Sequence, residues 1–116
     1  MKDHYFTLAK LILPEGLLDH FDITEVSAKD SQVCITLSEG NLAPTHIKGK
    51  LHSKGFYPSI TLTDFPVRDK ELQLIVRRRK WEEVSTGKIV KKDWDLIFKG
   101  SKYTIEFGAF LKEMDR

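Results

Sequence analysis

Apolar residues recur at helical spacing near both ends of the chain. Between residues 3 and 13 they form a wide stripe on one face of a helix, which Pro14 is expected to end because proline cannot donate a backbone hydrogen bond. A second stripe runs from Phe107 to Met114 and follows Thr104, a residue type that favours the first position of a helix. The pattern therefore predicts an N-terminal helix that packs on another surface, and a C-terminal helix.

The middle of the chain alternates apolar and β-branched residues with polar ones, which is typical of β-strands. Residues 23–28 and 33–38 alternate in this way on either side of a turn at Lys29–Ser31, and together they predict a β-hairpin. Residues 39–55 lack a period and are rich in glycine, proline, serine and asparagine, so this stretch is expected to be a loop.

The second half of the chain predicts further strands separated by short turns. One strand is expected near residues 59–64, a second near residues 71–81, and a third on the return from Lys88. The turns fall at residues 66–70 and just before Lys88, where Gly87 is free to adopt a positive φ. Helices at both ends and about five strands predict an α+β fold, with the strands forming an antiparallel β-meander.

Length and composition are those of one globular domain spanning residues 1–116. The chain has 116 residues, of which 41% are hydrophobic and 31% are charged, as is typical of a soluble protein. It has neither a signal-peptide pattern at its N-terminus nor an apolar run of about 18 residues, so no membrane association is expected. The single cysteine, Cys34, cannot form an intrachain disulfide, and a cytoplasmic location is expected.

Positive charge is concentrated in one segment of the chain. The net charge is +2 overall, but residues 68–102 carry eleven lysines and arginines against six acidic residues, a net charge of +5. Four consecutive cations repel one another, and binding to a polyanion would offset that repulsion most directly. The sequence therefore suggests a basic β-hairpin that binds nucleic acid. Its expected phosphate contacts are Arg77, Arg78, Arg79 and Lys80, with Lys88, Lys91 and Lys92 across from them on the returning strand.

The chemistry of these side chains leaves three interpretations open. Arginine binds phosphate through two parallel hydrogen bonds, and Trp81 is a candidate for stacking on a base, with a place in the core as the alternative. In the second interpretation the strand simply leaves the core at Arg77, and its cations are solvated or pair across strands with Glu82, Glu83 and the acids near residue 93. The third interpretation is an acidic protein partner.

Neither a metal centre nor a catalytic centre is expected. Cys34, His46 and His52 are the only clustered soft ligands, and they lack the closely spaced pairs of a structural zinc site. Asp93 and Asp95 share one face of the predicted returning strand, but no third acid completes a recognisable site. The residues therefore predict a protein that is not an enzyme and has no cofactor.

Four short motifs are the most distinctive parts of the sequence. They are DFPVR from Asp64, VRRRKW from Val76, DWDL from Asp93 and EFGAFLKE from Glu106. Together with the segments Leu13–Ile23, Ser53–Trp81 and Thr86–Met114, they resemble the ISAon-type family of bacterial insertion-sequence transposases, in particular the short proteins that form its N-terminal region. The resemblance covers nearly the whole chain.

The resemblance implies that the chemistry of transposition resides on another polypeptide. In such elements a first reading frame encodes an N-terminal region, and a second encodes a DDE-type catalytic domain that cuts and joins DNA. A non-catalytic DNA-binding or accessory chain is thus implied, with the DNA ends of the element, the catalytic subunit and a second copy of itself as candidate partners. The alternative role is a protein–protein interaction module that docks or dimerises the catalytic subunit.

The stretch from His52 to Trp81 also resembles the zinc ribbon at the N-terminus of larger transposases. In that ribbon a cysteine falls near the end of the basic strand, whereas here Trp81 takes its place and the partner cysteines are missing. The resemblance therefore implies a degenerate zinc-ribbon-like hairpin, which folds by apolar packing and without zinc.

Overall fold

The computed structural model describes residues 2–45, 47–92 and 102–115 of the chain. In chain order the elements are α1 (Lys2–Ile12), a 3₁₀ turn (Leu17–Asp19), β1 (Phe21–Lys29), β2 (Gln32–Glu39), β3 (Leu51–Phe56), β4 (Ile60–Val67), β5 (Lys70–Arg77), β6 (Arg79–Glu83), β7 (Ile89–Val90) and α2 (Ile105–Met114). The predicted α+β class, with a helix at each end of the chain, is confirmed.

The strands form two sheets, which differ from a single meander. β1, β2, β5 and β4 lie side by side in that order in a four-stranded sheet, and β3, β6 and β7 form a three-stranded sheet. The predicted hairpin is confirmed as β1 and β2, which pair antiparallel. The meander is wrong at the next step, because β2 pairs in parallel with β5, and β3 joins the other sheet.

The composition of the strands explains this order. In β5 the side chains of Leu72, Leu74 and Val76 are all buried, so this strand needs apolar neighbours on both sides. β2 and β4 supply them with the buried residues Leu37 and Leu62. β3, with the sequence LHSKGF, has too few apolar residues for the central place. The prediction of a loop is also wrong for β3, which is a strand because β6 pairs with it.

The strand predicted near residues 71–81 is interrupted at Arg78. β5 ends at Arg77 in the four-stranded sheet, and β6 begins at Arg79 in the three-stranded sheet. The carbonyl oxygen of Arg78 accepts a hydrogen bond of 2.8 Å from the backbone N–H of Tyr57, which fixes the chain where it passes between the sheets. The basic run therefore lies at the junction of two sheets and not along one strand.

The returning strand is described over a short length. β7 covers Ile89–Val90 and pairs with β6, after a turn in which Gly87 has the expected positive φ, 73°. Residues 93–100, over which the sequence predicts that this strand continues, lie outside the described residues.

The core lies on one face of the four-stranded sheet. Its buried side chains are Leu13, Leu17, Phe21, Ile35, Leu37, Leu62, Leu72, Leu74 and Val76. Leu13 and Leu17 belong to the segment between α1 and β1, and their side chains pack in this core with those of the sheet.

The helix α1 contributes little to this core, contrary to the predicted packing of its apolar stripe. Tyr5, Leu8 and Leu11 are exposed to 69%, 56% and 77%. α1 therefore presents an apolar surface that the described part of the chain leaves open.

Neither helix of the described residues has the length and the apolar run that a membrane span needs.

The helix α2 is held to the edge strand β4. The ring of Phe65 lies 5.1 Å from that of Phe107 and 5.3 Å from that of Phe110, measured between centroids. Thr104 precedes the helix as predicted, but its hydroxyl donates to Oδ1 of Asp64 at 2.7 Å and does not cap the helix. Asp64 and Thr104 are both buried, so this hydrogen bond ties the start of α2 to the sheet.

Candidate nucleic-acid interface

Two adjacent aromatic residues at the end of β3 each contact a different set of cations of the basic run. Phe56 ends β3 and pairs with Arg79 at the start of β6, and Tyr57 follows it. The guanidinium carbons of Arg77 and Arg79 lie 4.2 and 4.6 Å from the centroid of the Phe56 ring. Cations at such distances are attracted to the face of an aromatic ring. Phe56 therefore makes cation–π contacts with Arg77 and Arg79, two alternate cations of the run.

The other cations of the run gather around Tyr57. The guanidinium carbon of Arg78 lies 5.6 Å from the centroid of the Tyr57 ring, and Nζ of Lys80 lies 5.2 Å from it. Nζ of Lys91, which follows β7, lies 5.6 Å from the same centroid. We refer to these four residues as the Tyr57 cluster. The predicted approach of the returning strand to the basic run is thus found at Lys91.

The cations of the Tyr57 cluster have no carboxylate partner among the described residues, where the ion pairs use other side chains. The Nε atom of Arg78 is buried and has no hydrogen-bond partner there. A buried donor left without an acceptor is costly, and a charged one more so. The positive charge of the cluster is therefore not balanced by a carboxylate among the described residues, and an anion that binds there from outside would balance it.

The structure gives Arg79 a different role from its neighbours. Its Nη1 donates to Oγ of Ser53 at 2.6 Å, and its Nη2 donates to the carbonyl oxygen of Glu39 at 3.2 Å. Its backbone N–H donates to Oε1 of the same Glu39, which is only 2% exposed. Arg79 therefore joins the end of β2 to the second sheet through its backbone N–H and its two Nη groups, while its buried Nε, like that of Arg78, has no partner among the described residues. Arg77 is exposed, and its Nη1 lies 3.5 Å from Oγ of Ser38.

The predicted stacking role of Trp81 does not fit its surroundings. Trp81 is only 3% exposed, because it lies in the middle of β6 between Ser53 of β3 and Val90 of β7. A base cannot stack on a ring that is almost wholly buried. The alternative that the sequence leaves open, a place in the core of the hairpin, is the one that Trp81 occupies.

Lys88 and Lys92 differ from Lys91 in their surroundings. Lys88 is exposed at the turn after β6, where its backbone N–H donates to Oγ1 of Thr86 and its carbonyl oxygen accepts from Glu83. No described contact joins Lys88 to Tyr57. Lys92 is half-buried and directly follows Lys91.

The acidic residues after the basic run are engaged within their own sheet. Oε1 of Glu82 lies 2.9 Å from Nε2 of His52, and Oε2 lies 3.6 Å from Nζ of Lys54. The predicted cross-strand pairing is thus found for Glu82, with β3 as its partner. Glu83 accepts a hydrogen bond from the hydroxyl of Thr86 at 2.6 Å. These acids therefore do not neutralise the Tyr57 cluster.

The residues considered as metal ligands are not brought together in the described part of the chain. His52 lies on β3, whereas Cys34 lies on β2 with its sulfur 3.5 Å from Oε1 of Gln32. His46, Asp93 and Asp95 lie outside the described residues. No group of three or more histidine, cysteine or acidic side chains able to hold a metal is found among the described residues.

Phe56 and Tyr57 are the site residues that sequence reasoning missed. Their signal is an aromatic pair at the end of a short basic and polar stretch, but nothing local shows which cations will face them. The pairing of β3 with β6 decides that, because it places the pair beside the basic run.

Comparison of the chain with protein-family models, curated proteins and solved structures finds no match.

Proposed function

We propose that this chain is a non-catalytic DNA-binding domain and that it contacts phosphates through the Tyr57 cluster. The observation that supports the proposal is the gathering of Arg78, Lys80 and Lys91 within 5.2–5.6 Å of one aromatic ring, without a carboxylate among the described partners. Three cations held this close repel one another, and a phosphate backbone relieves that repulsion on binding.

The chemistry of the cluster favours phosphate over a single carboxylate. Arg78 carries a guanidinium group, the group whose fork of donors matches the oxygens of a phosphate. Lys80 and Lys91 add point charges on either side. Contacts of this kind position a protein on nucleic acid but do not by themselves read the base sequence.

The wider role that we propose follows the sequence resemblance. The motif VRRRKW contains Arg78 and Lys80, and it is one of the motifs on which the resemblance to the N-terminal region of insertion-sequence transposases rests. In that role the DNA would be the ends of the element, and catalysis would belong to the DDE-type subunit encoded by the second reading frame.

The test is a titration with labelled DNA over a salt series. The variant R78Q/K80Q/K91Q removes the three cations of the Tyr57 cluster. The control variant K10Q/K102Q/K112Q removes the same number of positive charges from α1, from α2 and from the segment before α2. Each neutralised phosphate contributes about 0.9 to the slope of log affinity against log salt, so the cluster variant should lose about 2.7 from that slope. The control variant should keep the slope of the unmodified chain.

Two results would contradict the proposal. One is unchanged binding by the cluster variant while its circular dichroism spectrum stays that of the unmodified chain. The other is an equal loss in both variants, which would show a response to net charge alone. Comparing an element-end duplex with a scrambled duplex then tests the transposase role separately from DNA binding.

A second function is favoured by the exposed apolar side chains of α1. Tyr5, Leu8 and Leu11 would be covered if α1 docked the catalytic subunit, which is the interaction role that the resemblance allows. The variant L8E/L11E should then lose co-purification with that subunit and keep its DNA affinity. Co-purification that survives this change would contradict the docking role.

A further inference from the structure

The two edges of the four-stranded sheet differ in their protection. The outer edge of β4 is covered by residues 102–104, since Thr63 donates its N–H to Lys102 and accepts one from Thr104 at 2.8 and 2.9 Å. β1 is the other edge strand, and no described strand pairs with its outer side. Of its nine residues Phe21 alone is buried. An exposed edge strand of this length offers its free backbone groups to another chain.

The register of β1 against β2 shows which side chains share a face. Val26 and Ala28 lie opposite core-side residues of β2, whereas Glu25, Ser27 and Lys29 lie on the other face. A bulge falls between Ile23 and Glu25, so the regular part of β1 runs from Glu25 to Lys29. This regular part has no proline and carries one acid and one base on the same face.

We propose that β1 pairs antiparallel with β1 of a second copy of the chain, about a two-fold axis that passes at Ser27. A two-fold axis perpendicular to the sheet keeps like faces on the same side, so residues of the same face must stand opposite each other. With the axis at Ser27, Glu25 faces the partner's Lys29 and Lys29 faces the partner's Glu25. Val26 then faces the partner's Ala28.

Charge selects this register and this occupant. An axis at Glu25 would oppose two carboxylates, and an axis at Lys29 would oppose two ammonium groups, and like charges directly opposite are destabilising. The axis at Ser27 forms two opposite-charge pairs instead. Glu25 and Lys29 belong to the same strand, so a second copy of the chain supplies the opposite charge for each of them. The two four-stranded sheets would then form one continuous sheet.

The interface is independent of the proposed DNA contact. β1 lies at the outer edge of one sheet, whereas the Tyr57 cluster lies at the junction with the other sheet. The paired segment is short, so the dimer should exchange rapidly with monomer and require a concentration series to be measured. If the chain does not dimerise, the outcome of the DNA titration is unaffected. If it does not bind DNA, the test of dimerisation is likewise unaffected.

Charge reversal tests the register. In E25K a lysine faces the partner's Lys29, and in K29E a glutamate faces the partner's Glu25, so each change should weaken the dimer about tenfold or more in sedimentation equilibrium. The double variant E25K/K29E restores both attractive pairs with their signs exchanged and should recover the affinity of the unmodified chain. E15K and K48E make the same charge changes at exposed positions outside β1 and should leave dimerisation unchanged.

Cysteine cross-linking tests the position of the axis in a separate experiment. Cys34 lies opposite Ser27 within the hairpin and would compete for it, so the change S27C is made with C34S. On the axis, the two introduced thiols come within disulfide range and should cross-link under a mild oxidant. In V26C/C34S the two thiols are displaced along the strands by about 7 Å, and cross-linking should be much weaker.

The outcomes are decisive in both directions. Recovery in the double charge variant, together with cross-linking at Ser27 above that at Val26, would establish the pairing. A chain that stays monomeric over the whole concentration series would overturn it. So would a double variant weaker than both single ones, or equal cross-linking at the two positions. Circular dichroism of each variant shows whether it is folded. If a charge variant is unfolded, the comparison of S27C/C34S with V26C/C34S still tests the pairing of the two β1 strands.

Discussion

Arg78 and Arg79 are adjacent and chemically identical, yet they have different surroundings in the structure, and substitution by methionine tests the two roles that we propose for them. Methionine keeps most of the apolar stem of arginine and removes the guanidinium group. R79M should destabilise the fold and leave the DNA contact in place. R78M should weaken DNA binding and destabilise the fold less than R79M does.

The magnitude follows from the hydrogen bonds of each side chain. Arg79 donates to Ser53 at 2.6 Å and to the carbonyl oxygen of Glu39 at 3.2 Å, and both bonds are partly buried. A hydrogen bond from a charged group contributes about 1.5 kcal/mol at the lower end of the measured range, so losing two should cost about 3 kcal/mol. For a chain of this length that corresponds to a fall in Tm of about 12 °C. Both arginines bury an Nε that has no partner, so its removal affects the two variants alike, and R79M should be less stable than R78M by about 3 kcal/mol.

Urea unfolding followed by far-ultraviolet circular dichroism measures this difference. The two variants serve as controls for each other, since each removes one positive charge from neighbouring positions. Equal losses of stability would refute the division of the basic run between Phe56 and Tyr57. A stable R79M that loses DNA affinity would refute the structural role of Arg79.

Three further predictions concern the stability of the fold. L74A removes a side chain that is only 1% exposed and should cost about 3 kcal/mol of unfolding free energy, whereas I75A, on the half-buried opposite face, should cost clearly less in the same urea titration. T104V removes the hydroxyl that donates to the buried Asp64 and keeps the shape of the side chain, so it should cost about 2 kcal/mol; a stability equal to that of the unmodified chain would show that this bond does not hold α2 to β4. R68G relieves a positive φ of 62° at the turn between β4 and β5 and should raise the stability by about 0.5–1 kcal/mol, and a lower Tm would contradict that reasoning.

The parts of the fold that sequence predicted correctly are those set by local patterns. The β1–β2 hairpin follows from alternation on either side of a short turn, and the helices follow from apolar spacing. The burial of Leu72, Leu74 and Val76 on one face likewise follows from the period of two residues. The turn at Gly87 follows from the conformational freedom of glycine.

The parts that sequence could not predict are set by partners far away in the chain. Alternation runs through Arg78 without a break, and the interruption there depends on hydrogen bonds to Glu39 and Tyr57. The same pairing buries Trp81, for which the sequence left stacking on a base and a place in the core both open. The sequence therefore indicates the basic segment, but which of its cations gather around Tyr57 depends on the second sheet.

The parallel pairing of β2 with β5 bears on how the chain reaches this structure. β1 with β2 and β4 with β5 are two local hairpins, and each can form without the other. The seam between them joins residues far apart in sequence, such as Gln32 and Glu71, which are 39 positions apart. Closing so long a loop is opposed by chain entropy until the apolar faces of both hairpins are ready to merge. The folding rate should therefore be limited by the docking of two preformed hairpins. β3 and β6 flank the β4–β5 hairpin in the chain and pair in nearly the same register, so they can pair before that docking, as an extension of the second hairpin.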